Sequence, residues 1–131
     1  LVYSTYLPGT EYGSGDVAVD GSGHAWVTGT AAGFKLPLVN PIQNYNAGQY
    51  EVFVTEVSAA GDAFLFSTFL GGYSFDEGYS IAVDGAGNAY VTGLAGSSNF
   101  PLANALQSSL NGPGPAGLKM RAAIFRSPWL R

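Results

Sequence analysis

Ala18-Val19-Asp20-Gly21-Ser22-Gly23-His24-Ala25-Trp26-Val27-Thr28-Gly29 returns 64 residues later as Ala82-Val83-Asp84-Gly85-Ala86-Gly87-Asn88-Ala89-Tyr90-Val91-Thr92-Gly93, with nine of the twelve positions identical. Each copy is two short runs of Val, Thr, Ala and aromatic residues around a Gly-x-Gly turn, the composition of a tight β-hairpin. A unit copied at this length predicts a repeat architecture, in which one supersecondary unit buries its faces only by stacking on the next.

The copying continues on both sides. Val2-Tyr3-Ser4-Thr5-Tyr6-Leu7 returns as Leu65-Phe66-Ser67-Thr68-Phe69-Leu70, and Leu36-Pro37-Leu38 with Gln43 returns as Phe100-Pro101-Leu102 with Gln107. A second hairpin is predicted between 52–57 and 64–70, across Ser58-Ala59-Ala60-Gly61-Asp62. Apolar side chains occur on both faces of these strands, so neither face is expected to meet water. Helical periodicity is weak, with one short helical turn expected within 102–110. The predicted fold is all-β and β-propeller-like, with two antiparallel four-stranded blades. Residues 16–78 form the first blade and 79–131 the second. Segment 118–125 is read either as the divergent third strand of that second blade, the reading preferred for its apolar 120–125 run, or as out-of-frame or truncated sequence with a basic tail that joins no sheet, and segment 1–15 is an N-terminal strand and loop. The second blade lacks a fourth strand, and the segment of matching type, Val2, Tyr3, Ser4, Thr5, Tyr6 and Leu7, lies at the opposite end of the chain. Its expected role is to complete the blade of a neighbouring copy, closing a ring or propagating a filament.

Composition narrows the function classes. The chain has 131 residues, 47% of them hydrophobic, and only 11% are charged, against about a quarter in an average domain. Its polar surface therefore rests on Gly, Ser, Thr, Asn and Gln, a pattern of secreted and cell-surface β proteins. Cysteine is absent, which excludes disulfides and thiolate metal sites. All nine acidic residues precede residue 85, and four of the five basic ones fall in the last fourteen, giving −8 before the tail and +4 in it. Such an acidic body does not bind nucleic acid, because phosphate contacts need clustered cations. No apolar run is long enough to span a membrane.

The candidate residues sort by the same reasoning. Asp20 and Asp84 are expected to close their turns by accepting hydrogen bonds from backbone amides, with Gly21, Gly23, Gly85 and Gly87 supplying positive φ. Neither turn has the alternating oxygen ligands of a calcium loop, so no metal is assigned. His24, the single histidine, occupies the turn position held by Asn88 and has no nucleophile placed beside it, and no catalytic residue or cofactor is assigned. Asp76 and Glu77 are adjacent, whereas glycosidase carboxylates flank a sugar about 5–10 Å apart. They are retained with Tyr12 and Tyr73 as loop residues able to contact a ligand such as a glycan. Trp26 and Tyr90 are equivalent strand aromatics expected to fill the space between blades.

The strings Leu1-Val2-Tyr3-Ser4-Thr5-Tyr6-Leu7, Phe69-Leu70-Gly71-Gly72, Phe53-Val54-Thr55 and Ile81-Ala82-Val83-Asp84-Gly85-Ala86-Gly87-Asn88-Ala89-Tyr90-Val91-Thr92-Gly93 together resemble the bacterial SBBP β-propeller repeat family. The hairpin alone is also similar to NHL-type propellers. The resemblance spans about two repeats over residues 1–107. It implies a secreted or surface-anchored protein and carries over no catalytic residue. The function expected is a non-catalytic module that self-associates in a structural or adhesive role, the alternative being a carbohydrate-binding propeller.

Overall fold

The β-branched and aromatic runs separated by glycine turns form seven strands in the computed structural model, which describes residues 1–33, 35–110 and 119–126. Strands β1 (Thr10–Val19), β2 (Ala25–Ala31), β3 (Glu51–Val57) and β4 (Phe64–Leu70) make one antiparallel sheet in the order β1-β2-β3-β4. Strands β5 (Asp76–Val83), β6 (Asn88–Ala95) and β7 (Lys119–Arg126) make a second in the order β5-β6-β7. The two sheets are the two expected blades, and the second has three strands among the described residues.

Alternation of side chains gives each sheet two faces. On one face of the first sheet Trp26, Val52, Val54, Phe66 and Leu70 pack against Ile81, Ala89 and Val91 of the second, forming the larger core. Trp26 is fully buried, its ring centroid 6.1 Å from that of Phe66. The opposite face of the first sheet carries Ala31, Phe53 and Phe69, closed over by Leu36, Leu38 and Leu7. Each large apolar side chain buried in these layers contributes about 1.5–3 kcal/mol, offsetting the entropy of ordering a chain with few charged contacts.

Buried hydroxyl groups of these strands take the place of charge and are hydrogen-bonded at Thr28, Thr55, Ser67 and Thr68, whereas Thr30 Oγ1 is buried without a partner. Thr28 Oγ1 donates to the Phe53 carbonyl at 2.9 Å, and Thr55 Oγ1 and Ser67 Oγ share a bond of 2.9 Å. The free edge of β4 is covered by the β2–β3 connection, where Val39 exchanges both backbone bonds with Ser67 and Phe69 N donates to the Gln43 carbonyl. Thr68 Oγ1 also accepts from the amides of Ile42 and Gln43, both at 3.0 Å. A covered edge of this kind blocks unwanted strand addition.

Three expectations are corrected. β1 begins at Thr10 rather than Asp16, because β2 runs to Ala31 and the ladder follows it through two register shifts in the glycine-rich stretch. β5 begins at Asp76, so Asp76 and Glu77 belong to a strand and not to a loop. Residues 102–110 form bends and no helix, as the exposed, glycine-free but aperiodic stretch after Pro101 offers no apolar face to bury. Residues 1–7 are not a strand in the single chain. They lie against the first blade, where a Cβ on Gly61 would come within 2.4 Å of the Tyr3 ring and Leu7 joins the second core cluster, while Leu1, Val2 and Tyr6 are exposed. A strand needs a ladder partner, and β4 already has the 39–43 segment on its outer edge.

Candidate functional site

Three polar clusters and one open face stand out from this frame. The first cluster is the pair of hairpin turns. Asp20 N donates to the His24 carbonyl and Gly23 N to the Asp20 carbonyl, so the loop is three residues long with Gly23 at φ 82°. The second turn reproduces it, with Gly87 at φ 75°. This is a type I turn followed by a left-handed residue, and only that last position needs glycine. Gly21 and Gly85, grouped with them in the sequence reading, lack positive φ and would project a Cβ into open space. Asp20 Oδ1 accepts from Ser22 N at 2.8 Å and His24 N at 2.9 Å; Asp84 Oδ1 accepts from Ala86 N and Asn88 N, each at 2.9 Å.

The outer carboxylate oxygens diverge. Asp84 Oδ2 accepts from Asn88 Nδ2 at 2.7 Å and Tyr90 Oη at 2.9 Å, and these bonds, the Asn88 side chain first, lower its pKa to about 2. In the first turn His24 Nδ1 lies 3.2 Å from Asp20 Oδ2 and 3.1 Å from Glu56 Oε1, a carboxylate delivered by β3. The β2–β3 register sets Glu56 directly opposite Trp26, and the β3–β4 register sets it opposite Phe66. Desolvation raises the Asp20 pKa, but the His24 and Ser22 amides, the imidazole and the Trp26 indole outweigh it and leave the carboxyl below its usual value. The indole N–H is the weakest of these, buried and short of hydrogen-bond geometry. Nothing in the local spacing of the sequence marks Glu56, which reads as one of three polar residues, with Glu51 and Thr55, in a seven-residue strand.

The second cluster sits at the other end of the sheets. Asp76, fully buried, accepts from Gly72 N (2.8 Å), Gly96 N (3.1 Å), Ser97 N (3.2 Å) and Ser97 Oγ (2.6 Å). It thereby ties the exit of β4 to the exit of β6. Glu51, also fully buried, accepts from Ala47 N, Gly48 N and Gln43 Nε2. Desolvation, with a smaller contribution from the Asp76 charge, pushes its pKa up to about 7 against the pull of those three donors. Of the residues retained for ligand contact, Asp76 is thus committed to backbone amides, and Glu77 accepts from Tyr79 Oη at 2.9 Å. Tyr73 is exposed in the β4–β5 loop, its amide bonded to Asn99 Oδ1. The Tyr12 side chain lies outside the described residues. Nearby, Tyr50 and Phe75 stack at 5.2 Å, with Phe75 partly exposed.

The third polar feature joins the blades: Asp16 Oδ2 accepts from Ser80 Oγ at 2.8 Å and Ile81 N at 3.0 Å, which holds its carboxyl below the usual range. Among the described residues, the open face is the side of the second sheet turned away from the first. Tyr90 lies on it opposite Ala82 and is 42% exposed, whereas its counterpart Trp26 is 0% exposed beneath the second sheet. The corresponding outer side of the first sheet exposes Val17 and Val19 beside the partly buried Val27.

Comparison with known proteins agrees with this repeat geometry. Residues 65–101, from β4 through β6 to Pro101, match the SBBP beta-propeller repeat. No curated protein and no solved structure matches the chain.

Proposed function

We propose, from a propeller repeat at residues 65–101, that this chain is a non-catalytic, secreted or cell-surface module that self-associates through its blades into a ring or filament with a structural or adhesive role. The observation that carries the reading is the contrast between Trp26 and Tyr90, one aromatic position buried under the second sheet and the same position exposed on that sheet's outer side. The contact between the two sheets serves as a template. A second copy that sets its Val17, Val19 and Val27 face on Tyr90 and Ala82 would repeat it. Such a contact is heterologous, so the rotation per step decides whether copies close or propagate. Residues 1–7, of outer-strand type, can add to the three-stranded sheet of the neighbour in the same step.

Light scattering and sedimentation test the reading. The wild type is expected to associate at about 100 μM, and Tyr90→Arg to weaken association roughly thirtyfold, the size of a central aromatic contact. A wild type that stays monomeric with a cooperative melt would overturn it. Carbohydrate binding is the second reading, favoured by the exposed Tyr45, Tyr73 and Phe75, whose rings offer stacking surfaces for sugars. A glycan array without hits on assembled protein removes it.

A further inference from the structure

The two turns solve the same electrostatic problem in different ways. In the second, one carboxylate, Asp84, is met by two backbone amides, an Asn side chain and a Tyr hydroxyl, all neutral donors. The position across from Tyr90 on β7 is Ile124, an uncharged residue. In the first turn His24 replaces Asn88, and Glu56 stands at the position of Ile124. Two carboxylates that are 94% or more buried thus face one imidazole nitrogen, the Asp20 side chain being 6% exposed and that of Glu56 1%. Nδ1 carries at most one proton for two acceptors. Even an imidazolium leaves these three side chains with a net negative charge among themselves. A divalent cation beside a neutral imidazole balances it.

We propose that Asp20 Oδ2, His24 Nδ1 and Glu56 Oε1 form a binding site for a divalent first-row cation of the Zn²⁺ type. The three atoms lie within 4.8 Å of one another, and the spacings of 3.1 and 3.2 Å at Nδ1 approach the separation of about 3.3 Å between ligands on a tetrahedral ion with bonds of about 2.0–2.1 Å. One nitrogen and two carboxylate oxygens suit Zn²⁺ or Co²⁺ rather than Ca²⁺ or Mg²⁺, which prefer all-oxygen shells. His24 is 28% exposed at the rim, which provides the route of entry and the place for a completing water. Asp20 and His24 come from one turn and Glu56 from a strand two positions along the sheet, so the ion would pin the β1–β2 hairpin to β3.

The chain's single histidine and lack of cysteine make the test direct. Full-length protein, stripped with EDTA, is titrated with ZnCl₂ while the melting temperature and the imidazole NMR signals of His24 are followed. One Zn²⁺ per chain, displaced His24 signals and a higher melting temperature are expected. His24→Asn, the solution used by the second turn, is expected to abolish the rise, and Glu56→Gln to weaken binding by roughly tenfold or more. If Glu56→Gln does not fold, Glu56→Ile takes its place, matching the second sheet. Unmoved His24 signals up to about 1 mM Zn²⁺, or equal affinity in His24→Asn, would overturn the proposal.

Discussion

Raising the pH from 4.5 to 7 should destabilise this protein, and Glu51 is the reason. A carboxyl that titrates at 4.5 in the unfolded chain and at about 7 in the fold holds its proton more tightly when folded. Its contribution is fully present below 4.5, declines as the pH rises, and is gone above about 7. At about 1.4 kcal/mol per tenfold difference in proton affinity, the interval sets an upper bound of about 3 kcal/mol. For a chain of this size that corresponds to roughly 10 °C in melting temperature. The assay is urea or thermal unfolding at half-unit steps from pH 4 to 8 at fixed ionic strength. Glu51→Gln should remove the slope. It should also lower stability at pH 5 by about 1 kcal/mol, because its amide nitrogen would face the Gln43 Nε2 donor that now bonds to Glu51. A wild type flat across the window, or a slope that survives in Glu51→Gln but not in His24→Asn, would refute the assignment.

At the acid end the direction reverses: Asp84, held down to about 2, and Asp16, also lowered, contribute stability above 3.8 that is lost as they protonate, so a maximum near pH 4–5 is expected in the same unfolding series. Gly87→Ala should cost about 1 kcal/mol because φ there is 75°, whereas Gly85→Ala, with open space around its Cβ, should be near neutral in chemical denaturation. Gly78→Ala would set a Cβ 2.6 Å from Thr28 Oγ1 and 2.9 Å from the Gly29 carbonyl, and a loss of about 1–3 kcal/mol is expected from prising the blades apart. Trp26→Ala should cost about 3–5 kcal/mol by opening the larger core, read from the urea midpoint.

The hairpin Asp20 to His24 and its copy were legible without any structure, because a turn is local: a carboxylate, two amides and one left-handed glycine lie within five residues and repeat 64 positions on. The strands and their two-faced burial were legible for a similar reason, since side-chain alternation is a property of the chain itself. Register and depth are not local. Asp76 looked like a loop carboxylate until β5 was seen to pair from its first residue, placing it among the amides of Gly72, Gly96 and Ser97. Residues 1–7 have the letters of a strand, but strand formation depends on a partner edge, and the outer edge of β4 is already taken by the 39–43 segment. Glu56 shows the division most plainly. Its sequence neighbours say only that it sits in a strand, while the β2–β3 register brings it to the imidazole of a residue 32 positions earlier, because hydrogen-bonded ladders, and not sequence distance, determine which charges must share a buried space.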